Sequence, residues 1–122
     1  MRLYLFTLLC LPLVSFYPPE AVVRWLGPTE YDLGQLEHET PVTHHFEFQN
    51  TSGDTLRIDN VRTSCGCTLP DWSPAPIPPD AASQVTVEYD AEDKGRFRKK
   101  IKVYFDKQRR AEVLWIEGEV VK

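Results

Sequence analysis

Two cysteines that stand one residue apart carry the strongest chemical signal in this sequence. They lie in the run Ser64-Cys65-Gly66-Cys67-Thr68. On an extended backbone the two side chains point the same way, with their Cα atoms near the upper limit of about 7 Å for a disulfide. Gly66 can bend the chain and shorten that gap. We therefore predict that Ser64, Gly66 and Thr68 shape a tight loop around the pair.

Three chemistries are open to Cys65 and Cys67. A disulfide between them would close a very small ring, which stabilises the fold modestly because the entropic gain grows with loop length. A strained small ring is also more oxidising than an ordinary structural bridge, so thiol–disulfide exchange with a partner is the second possibility. The third is metal binding, which needs a further ligand such as His44, and the spacing is not that of a zinc finger. We expect no bound metal and no cofactor.

Other signatures of catalysis are missing from the sequence. The histidines have no serine or aspartate beside them in a recognisable nucleophile motif. Neither a paired-carboxylate motif nor a phosphate-binding loop is present. As a nucleophile, Cys65 would need a neighbouring base, which the sequence does not show. We therefore expect a protein that is not an enzyme.

The segments on both sides of the cysteines alternate apolar and polar residues, as β-strands do. In the stretch 42–49 the even-numbered residues are Val, His, Phe and Phe and the odd-numbered ones are polar, which predicts a half-buried strand. The same alternation recurs at 85–89, 97–105 and 113–120. Turn chemistry at 50–54 predicts a hairpin after the first of these strands. Leu56 and Ile58 share a face but Val61 breaks the parity, which predicts a bulge or the end of the strand near Asp59 or Asn60.

The stretch 70–79 is rich in proline and interrupts this pattern. A proline has no N–H group to donate to a β-ladder, so the stretch cannot be a regular central strand. We predict that it crosses from one sheet edge to another. With a short strand at 22–26 and an edge strand at 31–36, the chain has about seven strands, which is typical of an all-β two-sheet sandwich. The length of 122 residues fits one domain, at 22–122.

The N-terminal residues 1–21 are predicted to be a signal peptide. Arg2 precedes an apolar run of about 14 residues, which is shorter than the roughly 20 that a bilayer span requires. Cleavage is expected after Ser15 or after Ala21. Cys10 lies inside the apolar run and follows Leu9 rather than a small residue, which disfavours lipidation. The prediction is a periplasmic or secreted protein that contacts the membrane only through this segment, if it is not cleaved.

The charge distribution limits the classes of partner that the protein is expected to bind. The formal net charge is -4, and nine of the 14 basic residues fall between Lys94 and Arg110. A mildly acidic total argues against nucleic-acid binding, which requires a strong positive field. Arg98, Lys100 and Lys102 share one face of a strand; they could bind an anionic group, although cross-strand pairing with acids is the favoured interpretation.

Two aromatic residues are further candidates for a partner contact. Trp72 stands in the proline-rich stretch, and Trp115 has the outward parity of its strand. Exposed aromatic residues beside polar neighbours mark contact surfaces, although either ring can instead cover a sheet edge. The edge strands of a sandwich offer a second route to a partner, through main-chain pairing.

Seven short runs give the sequence a resemblance to a known family. They are, in order, Asp32-Leu33-Gly34, Phe46-Glu47-Phe48-Gln49-Asn50, Leu56-Arg57-Ile58, Ser64-Cys65-Gly66-Cys67-Thr68, Pro76-Ile77-Pro78-Pro79, Gly95-Arg96-Phe97-Arg98-Lys99 and Ile116-Glu117-Gly118-Glu119-Val120. In this order they resemble the bacterial domain of unknown function 1573, over roughly Tyr31 to Val121. The resemblance implies an immunoglobulin-like sandwich akin to the domains of Hydin and major sperm protein, in an exported protein, and no established activity.

One departure from the family pattern concerns a turn. Pro79-Asp80 stands where the family usually has Pro-Gly. Aspartate can take that turn, at a steric cost relative to glycine.

These observations lead to one functional hypothesis and one alternative. The hypothesis is a non-catalytic immunoglobulin-like binding or structural module of the bacterial cell envelope, with the loop of Cys65 and Cys67 as its fixed point and an envelope protein as its partner. The alternative is an exported protein that uses Cys65-Gly66-Cys67 for thiol–disulfide chemistry or metal binding.

Overall fold

The alternating segments form eight β-strands, which pack as two sheets. The computed structural model describes residues 21–122, so the predicted signal peptide with Cys10 and Ser15 lies outside the described residues. The strands are β1 Val23–Trp25, β2 Glu30–Glu37, β3 Val42–Asn50, β4 Ile58–Thr63, β5 Thr68–Trp72, β6 Ala82–Tyr89, β7 Gly95–Phe105 and β8 Glu112–Val121. Among residues 21–122, no helix has the length and apolar character needed to cross a bilayer.

Each sheet has four strands. Sheet 1 has the order β1-β3-β6-β5 and is antiparallel. Sheet 2 has the order β2-β8-β7-β4; its edge strand β2 runs parallel to β8, and the other pairs are antiparallel. The predicted all-β two-sheet sandwich is therefore confirmed. Cysteines 65 and 67 lie in the connection from β4 to β5.

The core lies between the sheets, where the alternation predicted it. Buried inward-facing residues include Phe46, Phe48, Val85, Val87, Ile101, Val103, Leu114, Ile116 and Val120. The rings of Phe48 and Phe105 join the two sheets edge to face, with centroids 5.4 Å apart. Of the two alternatives predicted near Asp59 or Asn60, the structure shows the bulge and not a strand end, because the register of β4 against β7 shifts between Ile58 and Asn60 and the strand continues to Thr63.

The prediction that the proline-rich stretch crosses between the sheets is wrong. Pro70 belongs to β5, which is the strand that the sequence pattern missed, and β5 is the neighbour of β6 in sheet 1. A proline fits there because β5 is an edge strand, where one side of the backbone has no ladder partner. The crossing between sheets occurs instead in the cysteine loop.

The predicted hairpin at 50–54 is also wrong. β3 lies in sheet 1 and β4 in sheet 2, so the chain changes sheets at this corner. The reason is Asn50, whose side chain is fully buried. Its Nδ2 atom lies 2.7 Å from the carbonyl oxygen of Asp54, 2.9 Å from that of Ile77 and 3.1 Å from that of Pro78. The amide thereby fixes a corner where local turn chemistry predicts a reversal.

Two backbone positions have special conformational or steric requirements. Asp80 has φ 65°, so it takes the left-handed turn that the family pattern assigns to glycine. Gly118 lies inward on β8, and a Cβ atom there would stand 2.8 Å from the carbonyl oxygen of Gly34 in β2. Only glycine allows β2 and β8 to pack at this distance.

Candidate functional site

The cysteine loop lies where one edge of each sheet ends. β4 is the edge strand of sheet 2 and β5 is the edge strand of sheet 1. The four residues 64–67 carry the chain between them, so the loop covers one side of the sandwich. Within this loop Cys65 and Cys67 are half-buried, whereas Ser64 and Gly66 are exposed.

The two sulfur atoms are brought together. The Sγ atoms of Cys65 and Cys67 lie within bonding distance, and their Cα atoms are 5.2 Å apart. The backbone N–H of Cys67 donates to Cys65 Sγ at 3.2 Å. Cys67 also packs against the hydrophobic core, which ties the loop to the sandwich. Gly66 forms the turn without a left-handed φ, and a Cβ atom there would meet open space.

Two threonines hold the inner side of the loop. Thr63 Oγ1 lies 3.1 Å from the carbonyl oxygens of both Cys65 and Thr68, which share its single O–H donor. Thr68 is buried, and its N–H donates to the carbonyl oxygen of Cys65 at 3.2 Å. The sequence analysis named Thr68 and missed Thr63. The available signal was that Thr63 has the inward parity of Val61, which places its hydroxyl under the loop.

The loop also closes the outer edge of β5. The carbonyl of Cys67 accepts from the N–H of Asp90, so the backbone groups of odd-numbered residues in this strand point towards β6. Those of even-numbered residues point away. Thr68 is occupied by the contacts described above, and Pro70 has no N–H group. An added strand would therefore find few free donors on β5.

The histidines lie away from this arrangement. His44 faces inward on β3 and stacks on Tyr31, with ring centroids 3.8 Å apart, and meets Phe46 edge to face at 4.6 Å. Burial, with a smaller contribution from the charge of His45, lowers the pKa of His44 below its usual 6.5. The exposed His45 contacts Thr86 Oγ1 through Nδ1 at 2.9 Å.

In the part of the chain that the structure describes, Cys65, Cys67 and His44 are not brought together as a ligand set. Within residues 21–122, no three His, Cys, Asp or Glu side chains are close enough to hold an ion. Cys65 and Cys67 contact each other and the loop backbone, and His44 contacts aromatic rings.

The three basic candidates on β7 separate into two environments. Arg98 pairs with Glu117 at 3.3 Å and with Glu30 at 3.0 Å, and its guanidinium lies 4.3 Å from the centre of the Trp115 ring. The cross-strand pairing expected for this face is thus confirmed for Arg98. Trp115 faces outward on sheet 2 as predicted, but Arg98 covers its ring. The outer face is therefore neutralised at this place.

Lys100 and Lys102 belong to a different surface. Among the described residues they form no ion pair, and Lys100 Nζ lies 5.6 Å from the centre of the Trp115 ring. They line an open notch of about 370 Å³ beside the cysteine loop. We call it the basic notch, and its lining consists of Arg62, Thr63, Ser64, Lys100, Lys102 and Tyr104. Arg62 and Tyr104 were not predicted from the sequence, because the charge pattern of β7 alone does not show which residues of β4 lie beside it.

Trp72 has a structural position. It ends β5, opposite Val85 of β6, and packs against the core as a half-buried residue. Its ring is therefore less available to a partner than the basic notch.

Comparison with known proteins identifies the fold and a family. The model of the family described as Protein of unknown function (DUF1573) matches residues 26–120. No curated protein matches the sequence.

Several solved structures share the architecture at low sequence identity. A protein of unknown function from Porphyromonas gingivalis W83 is 20% identical with a TM-score of 0.68, over 80% of this chain and 46% of that one, so this chain spans about half its length. The PapD-like domain 7 of human CEP192 is 9% identical with a TM-score of 0.72, over 92% and 94% of the two chains. WR4, an MSP family member of C. elegans, is 8% identical with a TM-score of 0.56, over 84% and 100%. These likenesses confirm an immunoglobulin-like fold of the PapD and major-sperm-protein type.

Proposed function

This chain belongs to the family described as Protein of unknown function (DUF1573), and on that premise we propose that it is a non-catalytic, exported binding module of the bacterial cell envelope. Its ligand is a partner protein, which it contacts through the cysteine loop. Neither a nucleic acid nor a cofactor is part of this function.

The observation that carries the proposal is the way the loop is held. Thr63 and Thr68 fix its inner side by hydrogen bonds, and Cys67 packs against the core. Its outer side, at Ser64 and Gly66, is exposed. A loop fixed before binding loses little conformational entropy when a partner docks, which favours its use as a contact.

Export and oxidation of the cysteines belong together in this proposal. Cys65 and Cys67 form a disulfide that braces the loop, and such bonds persist in the periplasm and outside the cell. The apolar N-terminal segment, with cleavage after Ser15 or after Ala21, directs the chain there. The membrane is contacted only through this segment while it is uncleaved.

The alternative is thiol–disulfide exchange, which one contact favours. The N–H of Cys67 lies 3.2 Å from Cys65 Sγ, where it would stabilise a thiolate on Cys65. Exchange would pass the disulfide to a partner dithiol, so that one protein is reduced and the other oxidised. The reduction potential separates the two functions: a brace is expected below about −300 mV, and an exchange site between about −120 and −270 mV.

The first experiment is alkylation of freshly isolated protein without reductant, followed by intact mass measurement. The proposed brace predicts that neither Cys65 nor Cys67 is alkylated. Full alkylation of both would refute the disulfide.

The second experiment tests partner binding through the loop. Envelope extract is passed over the protein, over Gly66→Trp and over Glu92→Arg as the control. The large side chain fits because a Cβ atom at Gly66 meets open space, whereas Glu92 is exposed in a different loop. We expect a protein that is captured by the native chain and by Glu92→Arg and lost with Gly66→Trp. Equal capture by all three would contradict the proposed role of the loop.

A further inference from the structure

The outer face of sheet 2 divides into a region where charged side chains form ion pairs and a region where, among the described residues, basic side chains form none. Towards β2, acidic and basic side chains neutralise each other: Arg98 pairs with Glu30 and Glu117, and Arg96 lies 3.9 Å from Glu119. Towards β4, the basic notch presents three cations that form no ion pair within residues 21–122. A surface with uncompensated charge beside a compensated one attracts a partner of opposite charge.

The cations of the notch stand close together without an acidic partner among the described residues, and Arg62 is compensated only by the ring of Tyr104, whose centre lies 5.7 Å from its guanidinium. Arg62 of β4 stands directly opposite Lys102 of β7 in the register of sheet 2. Like charges at directly opposed positions of a sheet destabilise it. Lys100 adds a third positive charge two residues along β7. A bound anion would convert this repulsion into attraction, so the arrangement favours anion binding over an empty surface.

The spacing of the cations matches an extended polypeptide. Lys100 and Lys102 alternate on one strand, so their Cα atoms are about 6.6–6.8 Å apart. Carboxylates at alternate positions of an extended segment repeat at the same distance. Two flexible lysine side chains at this spacing can also converge on one small anion, so competition by inorganic phosphate is part of the test. The 39% exposed Val113, which stands opposite Lys102 on β8, adds an apolar contact that a peptide can use, whereas the ring of Tyr104 already faces Arg62.

We propose that the basic notch binds an extended acidic segment of the partner protein, with aspartate or glutamate at alternate positions facing Lys100 and Lys102. This inference rests on the proposed function, because Ser64 belongs both to the notch and to the cysteine loop. A partner seated on the loop therefore brings its neighbouring residues over the notch. The contact between the acidic segment and the basic notch is electrostatic and polar, and it adds to the contact that the same partner makes at Gly66 of the cysteine loop.

Fluorescence anisotropy of a labelled synthetic peptide tests this assignment directly. The peptide alternates glutamate with threonine, and its counterpart carries glutamine at each glutamate. We expect the full chain to bind the glutamate peptide and not the glutamine peptide. Binding should weaken when ionic strength rises from about 0.01 M to about 0.15 M, because the Debye length falls from about 30 Å to about 8 Å.

A matched pair of variants locates the binding. Lys100→Glu with Lys102→Glu reverses the notch, and Lys94→Glu with Arg96→Glu reverses two basic residues at the same spacing at the start of β7. Both variants change the net charge equally. We expect the first to weaken binding by about tenfold or more, since two favourable ion pairs become repulsive, and the second to change it by less than about twofold. Thermal unfolding of each variant verifies that the fold is intact.

Three outcomes would overturn the inference. The first is that the glutamate peptide does not bind, and the second is that the two variants weaken binding equally. The third is that inorganic phosphate or anionic phosphatidylglycerol vesicles displace the labelled peptide as effectively as the unlabelled glutamate peptide does. The last would identify a general anion surface instead of a peptide site. The proposed function would survive each of them if Gly66→Trp still abolished capture of a partner, so the two proposals can fail separately.

Discussion

The chain changes sheets at both ends of β4, and the two corners are held by different chemistry. At the first corner Asn50 is fully buried, and its amide meets the carbonyls of Asp54, Ile77 and Pro78 from the inside. At the second corner the sulfur pair and the Thr63 hydroxyl hold a loop whose outer residues are exposed. At the first corner the group that holds the chain is buried, although residues 51 and 53–55 are exposed, whereas at the second corner the half-buried sulfur pair lies directly beside the exposed Ser64 and Gly66.

This difference gives the two corners different roles, one in the stability of the fold and one in contact with a partner. A buried amide with satisfied hydrogen bonds is costly to remove, because its hydrogen bonds are lost and a cavity is left in the interior. A disulfide across a single residue restricts the unfolded chain only slightly, so it adds little to the stability of the whole domain. The Asn50 corner therefore serves the fold, and the cysteine loop has a local shape that a partner can use.

The largest expected effect is that of Asn50→Ala. It removes the side-chain hydrogen bonds to the carbonyls of Ile77 and Pro78, each of which keeps one backbone donor, and leaves a cavity at a fully buried position. We expect the free energy of unfolding to fall by about 2–3 kcal/mol. Urea unfolding measures the loss. Thr51→Ala, at the adjacent exposed position, is the control and should change stability by less than about 0.5 kcal/mol. Similar losses for both would show that the amide does not hold this corner.

Removing the sulfur pair should cost less. For Cys65→Ser with Cys67→Ser, the small ring predicts a loss of about 1–2 kcal/mol in the free energy of unfolding. Reduction of the native protein should reproduce the loss in the same urea titration. If the double variant lost as much as Asn50→Ala, the proposed distinction between the two corners would fail.

Thr63→Val tests the hydroxyl that holds the loop from inside. The substitution keeps the shape and removes the O–H donor that the two loop carbonyls share, and we expect a loss of about 1 kcal/mol in urea unfolding. Thr63→Ser retains the hydroxyl and is the matched variant. Its stability should exceed that of Thr63→Val; the reverse order would assign the role of Thr63 to its methyl group.

The smallest effect concerns pH and lies outside both corners. Because the pKa of His44 is lowered in the folded protein, the unfolded chain binds this proton more readily. The contribution of His44 is therefore constant above about pH 6.5 and becomes destabilising as the pH falls below it. In His44→Phe, urea unfolding on the two sides of pH 6.5 should show a weaker loss on acidification than in the native protein.

A control for the pH test comes from the corners themselves. An amide, a hydroxyl and a disulfide do not titrate in this range, so Asn50→Ala and Thr63→Val should keep the native pH dependence. An altered dependence in either variant, with none in His44→Phe, would reassign the acid sensitivity to a corner.

Much of the fold could be predicted from local patterns. The alternation along β3, β6, β7 and β8 identified the buried faces, and the parity break at Val61 located the bulge of β4. These predictions succeed because side-chain direction in a strand depends only on the local backbone. The cysteine loop was likewise visible, since Gly66 and its neighbours are consecutive in the chain.

Other features depended on residues that are distant in sequence. In its local sequence Asn50 has the pattern of a turn residue, which is why the stretch 50–54 predicts a hairpin. The carbonyls that its side chain contacts, those of Ile77 and Pro78, are 27 and 28 positions away in the sequence. The basic notch combines Arg62 from β4 with Lys100 and Lys102 from β7, strands that the sequence does not pair by itself.

The amino-acid sequence is sufficient to determine which side chains face inward, where the chain bends and which residues can join through sulfur. It carries no local information on which strands become neighbours or at which corner the chain changes sheets. Those choices depend on packing between two sheets and on buried hydrogen bonds such as those of Asn50, which exist only after distant segments meet. The tertiary structure alone therefore decided that the cysteine loop lies beside the basic notch.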